Sequence, residues 1–463
     1  MKKQYCIISI LSLLIFYTAT PLFADKLIPA DNPQINYYGR FDFSTPSVAK
    51  FNWSGSTIEA SFSGSVIGVS LKDGHNNYDY FIDSIPYDML VTKIGTAKYI
   101  LSDNLSNTSH TIRISQRNES HEFVSSFMGF YVADNGQLLS APEKPKRKIE
   151  FIGDSWIAGY GNESPKKSCT DESLREYTNT NRSFPTLITN AFKAQSMILG
   201  FSGQGIIHNW NTNSKKAPDP YPFYYNKILG KIKNSGIWDF SQWIPDVVIL
   251  CLGINDFFRK PHPDDTMFIN GYHAFLDTII NHYSEDIPII CVSAHTDSAG
   301  PMKDGMKKMD ACIKKAVQEE INVYGRKNVY YFETPEEMGL NGCYYHPDVA
   351  EDSLIAKKLI GEISEVTGWN TENNSGIHKQ MLYKDTDRFS IRRSGGIIHF
   401  IMSYQVQPAE VYITNLSGIV IKQGMIGVNR NFAWNTENVP PGIYLLNCAK
   451  LNVSKKILIK RGK

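Results

Sequence analysis

The stretch KIEFIGDSWIAGYG, residues 148–161, changes character in its middle. Its first half is a short, mostly apolar run that is typical of a buried strand, and its second half contains glycines that favour tight turns. Ser155 lies where the halves meet, between Asp154 and Trp156. A turn followed by a helix N-cap explains this serine as well as a reactive hydroxyl does. The stretch alone therefore predicts a strand-to-helix junction and no function.

Four more apolar runs follow at spacings that leave room for helices. They are residues 196–203 (SMILGFSG), 246–256 (DVVILCLGIND), 288–296 (PIICVSAHT) and 329–335 (VYYFETP). Strands that are apolar on both faces and alternate with helix-length segments predict a parallel sheet covered by helices, a three-layer α/β domain over residues 148–369. In such sheets ligands bind beyond the carboxyl ends of the strands, so the residues after each run are the candidates for a site.

Segments rich in short strands flank this predicted domain on both sides. Before it, alternating runs separated by Gly, Asn, Asp and Ser predict an antiparallel jelly-roll or sandwich domain over residues 28–145. The polar stretch 141–148 (APEKPKRK) is the predicted boundary. After the α/β domain, residues 385–463 predict a small C-terminal β-sandwich. A multidomain architecture is also what a chain of 463 residues leads us to expect.

The N-terminus predicts export. Lys2 and Lys3 precede an apolar stretch, residues 5–16, and Ala24 follows it, which is the pattern of a cleavable signal peptide over residues 1–24. No later segment is long and apolar enough to span a bilayer, so we expect a secreted or cell-surface protein. A formal net charge of +2 without basic runs argues against a nucleic-acid or anionic-membrane partner.

The cysteines show no metal-binding spacing. One of the seven, Cys6, lies in the predicted signal peptide. Cys251 and Cys291 lie in apolar runs and are expected to be buried thiols. Export permits disulfides, and Cys169 with Cys343 is the first pair to test because both are predicted in loops near candidate site residues. The sequence alone does not fix that pairing.

The residues that follow the predicted strands supply the groups that acyl transfer needs. They are Asp154 and Ser155, then Ser202, Gly203, Gln204 and Gly205, then Gly253, Asn255 and Asp256, and finally Tyr345, His346 and Pro347. This set contains a hydroxyl nucleophile, a glycine N–H that a ligand can approach closely, a side-chain amide and an imidazole.

The order of these four groups resembles the SGNH (GDSL-type) hydrolase superfamily over the whole middle domain. With GRFDF (39–43), WSGSTIEASFSG (53–64), HTIRISQRNE (110–119) and FMGFYV (127–132) ahead of it, the chain resembles carbohydrate esterase family two. The resemblance implies a jelly-roll domain joined to an SGNH hydrolase domain. It also implies the removal of acetyl groups from plant-cell-wall polysaccharides.

The resemblance implies a role for each matching residue. Ser155 is the expected nucleophile and His346 the expected general base. The Ser155 and Gly203 N–H groups and the Asn255 side chain are the expected oxyanion donors. Each residue also has a purely structural alternative, as a helix cap, a turn glycine, a loop amide or a histidine without a catalytic role.

Three further residues are candidates for substrate binding. They are Trp210, Asp256 and Trp156. Trp210 is the better candidate for stacking on a sugar, because the loop after Gly203 is expected to border the cleft. Packing beneath the site is the favoured alternative for Trp156.

The chain departs from the superfamily pattern three residues before His346. Many members have an aspartate there that holds the imidazole, whereas this chain has Cys343. In some family two enzymes a backbone carbonyl accepts the ring N–H instead, and NGCYYHP (341–347) resembles that variant. A carbonyl can still select the tautomer and orientation of the ring, although it stabilises the imidazolium less than a carboxylate does.

These observations lead us to expect a secreted O-acetyl esterase that acts on acetylated xylan or glucomannan through a serine acyl-enzyme. The mechanism requires no metal or cofactor. One alternative is a lipid or aryl esterase of the same superfamily, and another is a carbohydrate-binding surface protein without activity.

The C-terminal segment has a resemblance of its own. LSGIVIK (416–422), VPPGIYLL (439–446) and the basic end KKILIKRGK (455–463) resemble the sorting domain of the type nine secretion system of Bacteroidota. That resemblance implies the secretion machinery as a partner. An accessory β-sandwich or a carbohydrate-binding module is the alternative.

Overall fold

The computed structural model describes residues 26–87, 89–120, 123–294, 303–336, 338–371, 389–394, 397–402, 409–426, 431–448 and 453–459. The predicted signal peptide, residues 1–24, lies outside the described residues. Along the chain, antiparallel β-structure is followed by a parallel sheet with helices and then by further antiparallel strands. The coarse order of the predicted architecture is confirmed, while the domain boundaries stay predictions.

The N-terminal β-rich domain forms two antiparallel sheets. Its strands are β1 (Lys26–Pro29), β2 (Ile35–Tyr38), β3 (Ala49–Phe51), β4 (Thr57–Gly64), β5 (Ile67–Asp73), β6 (Asn77–Ile82), β7 (Ile85–Pro86), β8 (Leu90–Val91), β9 (Gly95–Ser102), β10 (Thr108–Gln116), β11 (Ser125–Val132) and β12 (Gln137–Leu138). One sheet has the order β1-β11-β5-β9, with β3 paired to β11. The other has the order β12-β4-β10-β6-β7, with β2 paired to β4 and β8 to β6.

The two sheets of this domain share one apolar core. Phe130 of β11 belongs to the first sheet and Phe62 of β4 to the second, and both lie in that core. The residues of β4 alternate between more and less buried positions, as the period of two in its sequence predicts. The jelly-roll and sandwich descriptions of the domain stay predictions.

The central domain contains one parallel sheet and eight described α-helices. Its strands are β13 (Lys148–Gly153), β14 (Gln195–Gly200), β15 (Val247–Cys251), β16 (Ile289–Ser293) and β17 (Val329–Glu333). Its helices are α1 (Ser155–Ala158), α2 (Asp171–Tyr177), α3 (Phe184–Ala191), α4 (Tyr221–Tyr225), α5 (Ile254–Phe258), α6 (Asp265–His282), α7 (Lys303–Asn322) and α8 (Val349–Thr367). Every residue of β15 and β16 is buried, as expected for strands covered on both faces.

The order of the parallel strands determines where the candidate residues meet. The sheet runs β14-β13-β15-β16-β17, so the chain leaves β13 for one neighbour and later returns to the other side. Gly153 at the end of β13 is level with Gly200 of β14 and Cys251 of β15. The loops after these three strands therefore emerge side by side, at the switch point where α/β proteins bind ligands.

The N-terminal domain packs directly on the central domain. Trp53 is buried, its indole N–H donates to the Ile228 carbonyl at 2.8 Å, and its ring meets Phe201 edge-on. The buried Arg40 guanidinium lies 3.4 Å from the Glu150 carboxylate of β13. Each of these two buried charges needs the other, because an unpaired buried charge is strongly unfavourable. The two domains are thus joined by a buried ion pair and by the Trp53 hydrogen bond.

The C-terminal strands form two further antiparallel sheets. They are β18 (Phe389–Ser394), β19 (Ile397–Met402), β20 (Ala409–Asn415), β21 (Val420–Ile426), β22 (Asn431–Asn435), β23 (Gly442–Cys448) and β24 (Val453–Ile459). Their orders are β18-β19-β22 and β21-β20-β23-β24, around an apolar core of their own. In the described ranges of the whole chain, no helix is both long and apolar enough to cross a membrane.

Candidate active site

Ser155 is the first residue of α1, directly beyond β13. Asp154 caps the helix, since its carboxylate accepts the Trp156 N–H at 3.1 Å. Position 153 requires glycine, because a Cβ there would lie 2.4 Å from the Ile157 side chain and 2.6 Å from the Cys251 carbonyl oxygen. The glycine is needed for this close packing of strand and helix, and the first turn of α1 then presents the Ser155 hydroxyl at the end of the sheet.

His346 comes from a loop 191 residues further along the chain, yet its ring meets Ser155. Its Nε2 lies 2.7 Å from the Ser155 Oγ. Its Nδ1 lies 2.8 Å from the Cys343 carbonyl oxygen. A proton on Nδ1 donated to that carbonyl leaves Nε2 free to accept the serine proton. The Tyr160 ring also packs on the imidazole, with the ring centroids 4.6 Å apart.

The loop that contains His346 has an unusual backbone. Tyr344 and Tyr345 have φ values of 50° and 63°, in the left-handed region that side chains other than glycine seldom adopt. The Tyr344 N–H donates to the Lys167 carbonyl at 2.7 Å, and its hydroxyl donates to the Cys169 carbonyl. Contacts to the segment around residue 169 therefore stabilise a conformation that the loop sequence does not favour.

A disulfide joins the same two segments. Cys343 is bonded to Cys169, which is 174 residues away in the sequence, and the pair suggested by the sequence is confirmed. Gly161 lies against this bridge, since a Cβ there would be 2.3 Å from the Cys343 Cβ. Cys251 and Cys291 are buried free thiols, as predicted. Cys343 therefore provides both the cross-link and the carbonyl that faces the imidazole.

His346 is partly buried, and this loss of solvent favours the neutral imidazole. Loss of solvent lowers the pKa of His346 to about 4, and the hydrogen bond to Cys343 and the charge of Glu119 oppose this shift. A neutral imidazole is the form that can accept a proton from a hydroxyl.

Gly203 lies in the turn after β14, the strand that pairs with β13 ahead of Ser155. Its φ is +77°, and a Cβ there would lie 2.1 Å from the Trp210 ring. Only glycine fits this position, both for its backbone and for its space. In the described part of the chain its N–H has no hydrogen-bond acceptor. Such a donor is available for an anionic oxygen.

Asn255 reaches the same edge of the sheet, but its amide is already engaged. The Nδ2 donates to Asp154 Oδ2 and to the Gln204 carbonyl, each at 2.9 Å. An amide nitrogen has two hydrogens, so both have acceptors. The structure thus places the predicted third oxyanion donor near Ser155 without a free N–H.

Comparison with known proteins agrees with this arrangement. Residues 37–142 match the model of the carbohydrate esterase 2 N-terminal domain, and residues 151–352 match the GDSL-like lipase/acylhydrolase family. A solved family two carbohydrate esterase from Clostridium thermocellum, an active-site mutant crystallised with a cello-oligosaccharide, is 31% identical, with a TM-score of 0.65. The match covers 73% of this chain and all of that one. The chain belongs to carbohydrate esterase family two.

Two curated relatives are esterases. Cellulase/esterase CelE of Acetivibrio thermocellus is 32% identical over 73% of this chain, and the match spans only 40% of CelE. An acetylxylan esterase / glucomannan deacetylase of Cellvibrio japonicus is 27% identical over 69% of this chain and 86% of its own length. The region of this chain that matches these relatives is thus a carboxylic ester hydrolase.

Two predicted substrate-binding residues of the esterase are not available to a substrate. The Asp256 carboxylate is fully buried and accepts the N–H groups of Ile206, Ile207 and His208 at 2.7–2.9 Å. Trp156 is 5% exposed and belongs to the apolar core. Both predictions are wrong: Asp256 holds the loop after Gly203, and Trp156 packs beneath the site, as its alternative interpretation stated.

Trp210, by contrast, lies at the surface of the esterase. It is half exposed and its ring covers Gly203. Its backbone N–H donates to the Gly203 carbonyl at 3.0 Å, which fixes the loop at this point. An exposed indole that lies against the candidate oxyanion glycine is a suitable surface for the apolar face of a sugar.

The acids that follow His346 have structural partners. The Glu351 carboxylate accepts the N–H groups of Gly339, Leu340 and Asn341, and Asp352 accepts the Asn162 amide. Asp348 caps α8. Sequence reasoning also missed Glu119, a buried acid of the N-terminal domain that reaches the turn at Ser202. It ends the stretch HTIRISQRNE (110–119) that carries part of the family resemblance, but nothing in that stretch indicates that the acid reaches the other domain.

Proposed function

We propose that this protein is a secreted carbohydrate O-acetyl esterase that removes acetyl groups from a hemicellulose such as acetylated xylan or glucomannan. The observation that supports the proposal most strongly is the 2.7 Å contact between the Ser155 hydroxyl and His346, whose other ring nitrogen faces a carbonyl. The acetylxylan esterase / glucomannan deacetylase relative of Cellvibrio japonicus suggests the substrate class. The half-exposed Trp210 provides a surface on which a sugar ring can stack.

In the proposed first step the Ser155 oxygen attacks the acetyl carbonyl carbon while its proton passes to His346 Nε2. The negative charge that develops on the acetyl oxygen is held by the Ser155 and Gly203 N–H groups. Asn255 acts as a third donor once one of its two amide hydrogens turns from Asp154 or the Gln204 carbonyl to the oxyanion. The bond to the sugar oxygen then breaks, and that oxygen takes the proton from His346. Ser155 is left acetylated.

The second step repeats the first with water in place of the serine. Water attacks the acetyl-serine and gives its proton to His346. Collapse of the intermediate releases acetate and returns the proton to the Ser155 oxygen. No redox change and no co-reactant other than water is involved.

Release of acetate from acetylated xylan and glucomannan tests this function. We expect release by the parent protein and near-background release by Ser155→Ala, which removes the nucleophile and leaves a small buried side chain. Comparing an acetyl ester with an octanoyl ester separates the carbohydrate esterase from a lipid esterase. Retention of activity within a few-fold by folded Ser155→Ala would contradict the mechanism. Absence of release from every acetylated glycan would favour a carbohydrate-binding protein.

We also propose that the segment beyond about residue 385 is an export address read by a type nine secretion system. Its described strands have a core of their own, so the catalytic residues do not depend on it for packing. A protein that ends before this segment should hydrolyse a small acetyl ester at the parent rate. A large loss of activity in the folded, shortened protein would make the segment part of the site.

A further inference from the structure

Glu119 connects the N-terminal domain to the candidate active site. It follows β10, is buried, and accepts the Ser202 N–H on its Oε2 at 2.8 Å. Ser202 immediately precedes Gly203, the proposed oxyanion donor. A carboxylate that accepts a backbone N–H forms a stronger hydrogen bond than a neutral acceptor does. The orientation of the turn therefore depends on a side chain from another domain.

The segment around Glu119 is held rigidly enough to act in this way. The Gln116 amide donates to the Asn118 carbonyl and to the Ser120 hydroxyl, both at 2.7 Å. The Ser120 N–H donates to the Asn52 carbonyl at 3.1 Å. All of these residues are buried. Since polar groups in such a network fix one another, the Glu119 carboxylate has little freedom to leave Ser202.

The charge of Glu119 also acts on the proposed catalytic base. The groups that act on His346 are the Tyr160 ring, which packs on the imidazole, the backbone of Cys343 and Tyr344 in its own loop, and the charge of Glu119 from the N-terminal domain. Among them, Glu119 is the carboxylate whose charge raises the pKa of His346. It also helps to raise the pKa of the buried Asp154 to about 8, after burial and the charge of Asp256.

We propose that Glu119 is a positioning residue of this esterase, which fixes the oxyanion turn through Ser202 and supplies part of the negative charge that an aspartate beside His346 would otherwise provide. This inference rests on the proposed function. When Ser155 gives up its proton, His346 becomes a cation in a partly buried site. A carboxylate nearby stabilises that cation, while the hydrogen bond to Ser202 holds the Gly203 N–H towards the oxyanion.

Two variants separate the charge from the hydrogen bond. Glu119→Gln keeps an oxygen that can accept the Ser202 N–H and removes the charge, whereas Glu119→Ala removes both. Glu59→Gln is the control. Glu59 is a partly buried acid of the same domain, and its carboxylate accepts a hydrogen bond from the Tyr38 hydroxyl. Turnover and KM are measured on a small acetyl ester from about pH 3 to about pH 8, together with the melting temperature.

For Glu119→Gln we expect a turnover number that is roughly tenfold lower, an unchanged KM and an acidic limb of the pH profile that moves to lower pH. For Glu119→Ala we expect roughly a hundredfold loss, because the oxyanion turn is also released. Glu59→Gln should match the parent. Labelling of Ser155 by diisopropyl fluorophosphate should slow in the same order, which reports on the serine without a carbohydrate.

Parental turnover and an unmoved pH profile for Glu119→Gln would overturn the role of the charge. Higher turnover would do the same, since it would mean that Glu119 mainly repels the oxyanion. Parental turnover for Glu119→Ala would overturn the role of the hydrogen bond. If that variant does not fold, Glu119→Leu, which removes the acceptor and fills more of the same space, is measured in its place with the same criterion. Inactive Ser155→Ala beside parental Glu119 variants rejects this inference only, whereas active Ser155→Ala rejects the proposed function itself.

Discussion

Ser155 and His346 meet at one short contact, but different kinds of structure hold them there. Ser155 lies between a buried strand and a helix, and a neighbouring carboxylate caps that helix. Its position follows from secondary structure within a few residues. His346 follows two tyrosines in the left-handed region, and a disulfide, a tyrosine hydroxyl and backbone contacts to residues 161–169 hold its loop.

The difference indicates which side of the site tolerates change. On the serine side, strands β13, β14 and β15 form a rigid frame in which close packing leaves no space for added atoms. On the histidine side, the conformation depends on a few contacts between segments that are distant in the sequence. Substitutions that add atoms should therefore do most damage on the serine side, and loss of a cross-link should do most damage on the histidine side.

Among substitutions that leave Ser155 and His346 in place, the largest effect is expected for Gly203→Ala on the serine side. The added Cβ would overlap the half-exposed Trp210 ring, and alanine disfavours the φ of +77°, so the ring is displaced and the turn relaxes towards a conformation that no longer aims its N–H at the oxyanion. Loss of one oxyanion donor lowers turnover about 10²- to 10³-fold. Gly361→Ala in α8 is the control, because a Cβ there meets nothing within 4 Å. Ester hydrolysis by the two variants is compared, and equal rates would refute the assignment of Gly203.

A smaller effect is expected when the cross-link on the histidine side is lost. The double variant Cys169→Ser/Cys343→Ser, which lacks the disulfide, should have a free energy of unfolding about 2–4 kcal/mol lower than that of the parent. Turnover should fall roughly tenfold, since the Cys343 carbonyl that orients His346 is no longer anchored. Thermal melts and ester hydrolysis measure both.

A reductant provides the internal control for this prediction. It should slow the parent protein and leave the double serine variant unchanged. Full activity of the reduced, folded parent would show that the other contacts of the loop hold His346 without the disulfide.

The pH dependence of the parent protein tests the burial of the histidine side. Because the base acts in its neutral form and the pKa of His346 is lowered to about 4, kcat/KM should be halved only near that pH and should not fall between pH 7 and pH 5.5. A histidine that titrates near its usual value of 6.5 would leave roughly a tenth of the activity at pH 5.5. A midpoint near 6.5 would therefore show that water reaches the ring freely.

The smallest effect is expected for Asp348→Ala, two residues beyond His346. Its carboxylate accepts the Glu351 N–H and caps α8, so its loss should cost about 1 kcal/mol of stability. Turnover should stay within twofold, because the Cys343 carbonyl and not this acid faces the imidazole. Asp348→Asn keeps the cap and should match the parent in both measurements. A loss near 10⁴-fold would instead indicate a catalytic triad.

Much of this molecule could be predicted from short stretches of sequence. The apolar runs that end in GDS, SG and GIND predict the parallel sheet and place Ser155, Gly203 and Asn255 at one edge, because parallel strands end on the same side. The contrast between alternating and continuous apolar runs separates the N-terminal domain from the central one. Both predictions depend on the pattern of apolar residues along each strand and on the residues at the strand ends, which are local features of the sequence.

The remaining features of the site depend on contacts that local patterns do not contain. Asn255 and Asp256 are adjacent in a motif that suggests two site residues. In the structure the Asp256 carboxylate accepts three backbone N–H groups, and the Asn255 amide donates to two acceptors. Whether a polar group faces a substrate or another part of the chain depends on which loops fold over it, and only the assembled fold settles that.

By itself, the sequence determined the family, the order of the β and α/β regions and the meeting of a serine with a histidine. Only the tertiary structure decided that Cys169 is bonded to Cys343 beside the proposed catalytic histidine and that Glu119 reaches the oxyanion turn from another domain. The physical reason is separation along the chain. A motif records residues that one strand or helix brings together, whereas the contact of Glu119 with Ser202 spans 83 residues and the disulfide spans 174, so only packing brings these residues together.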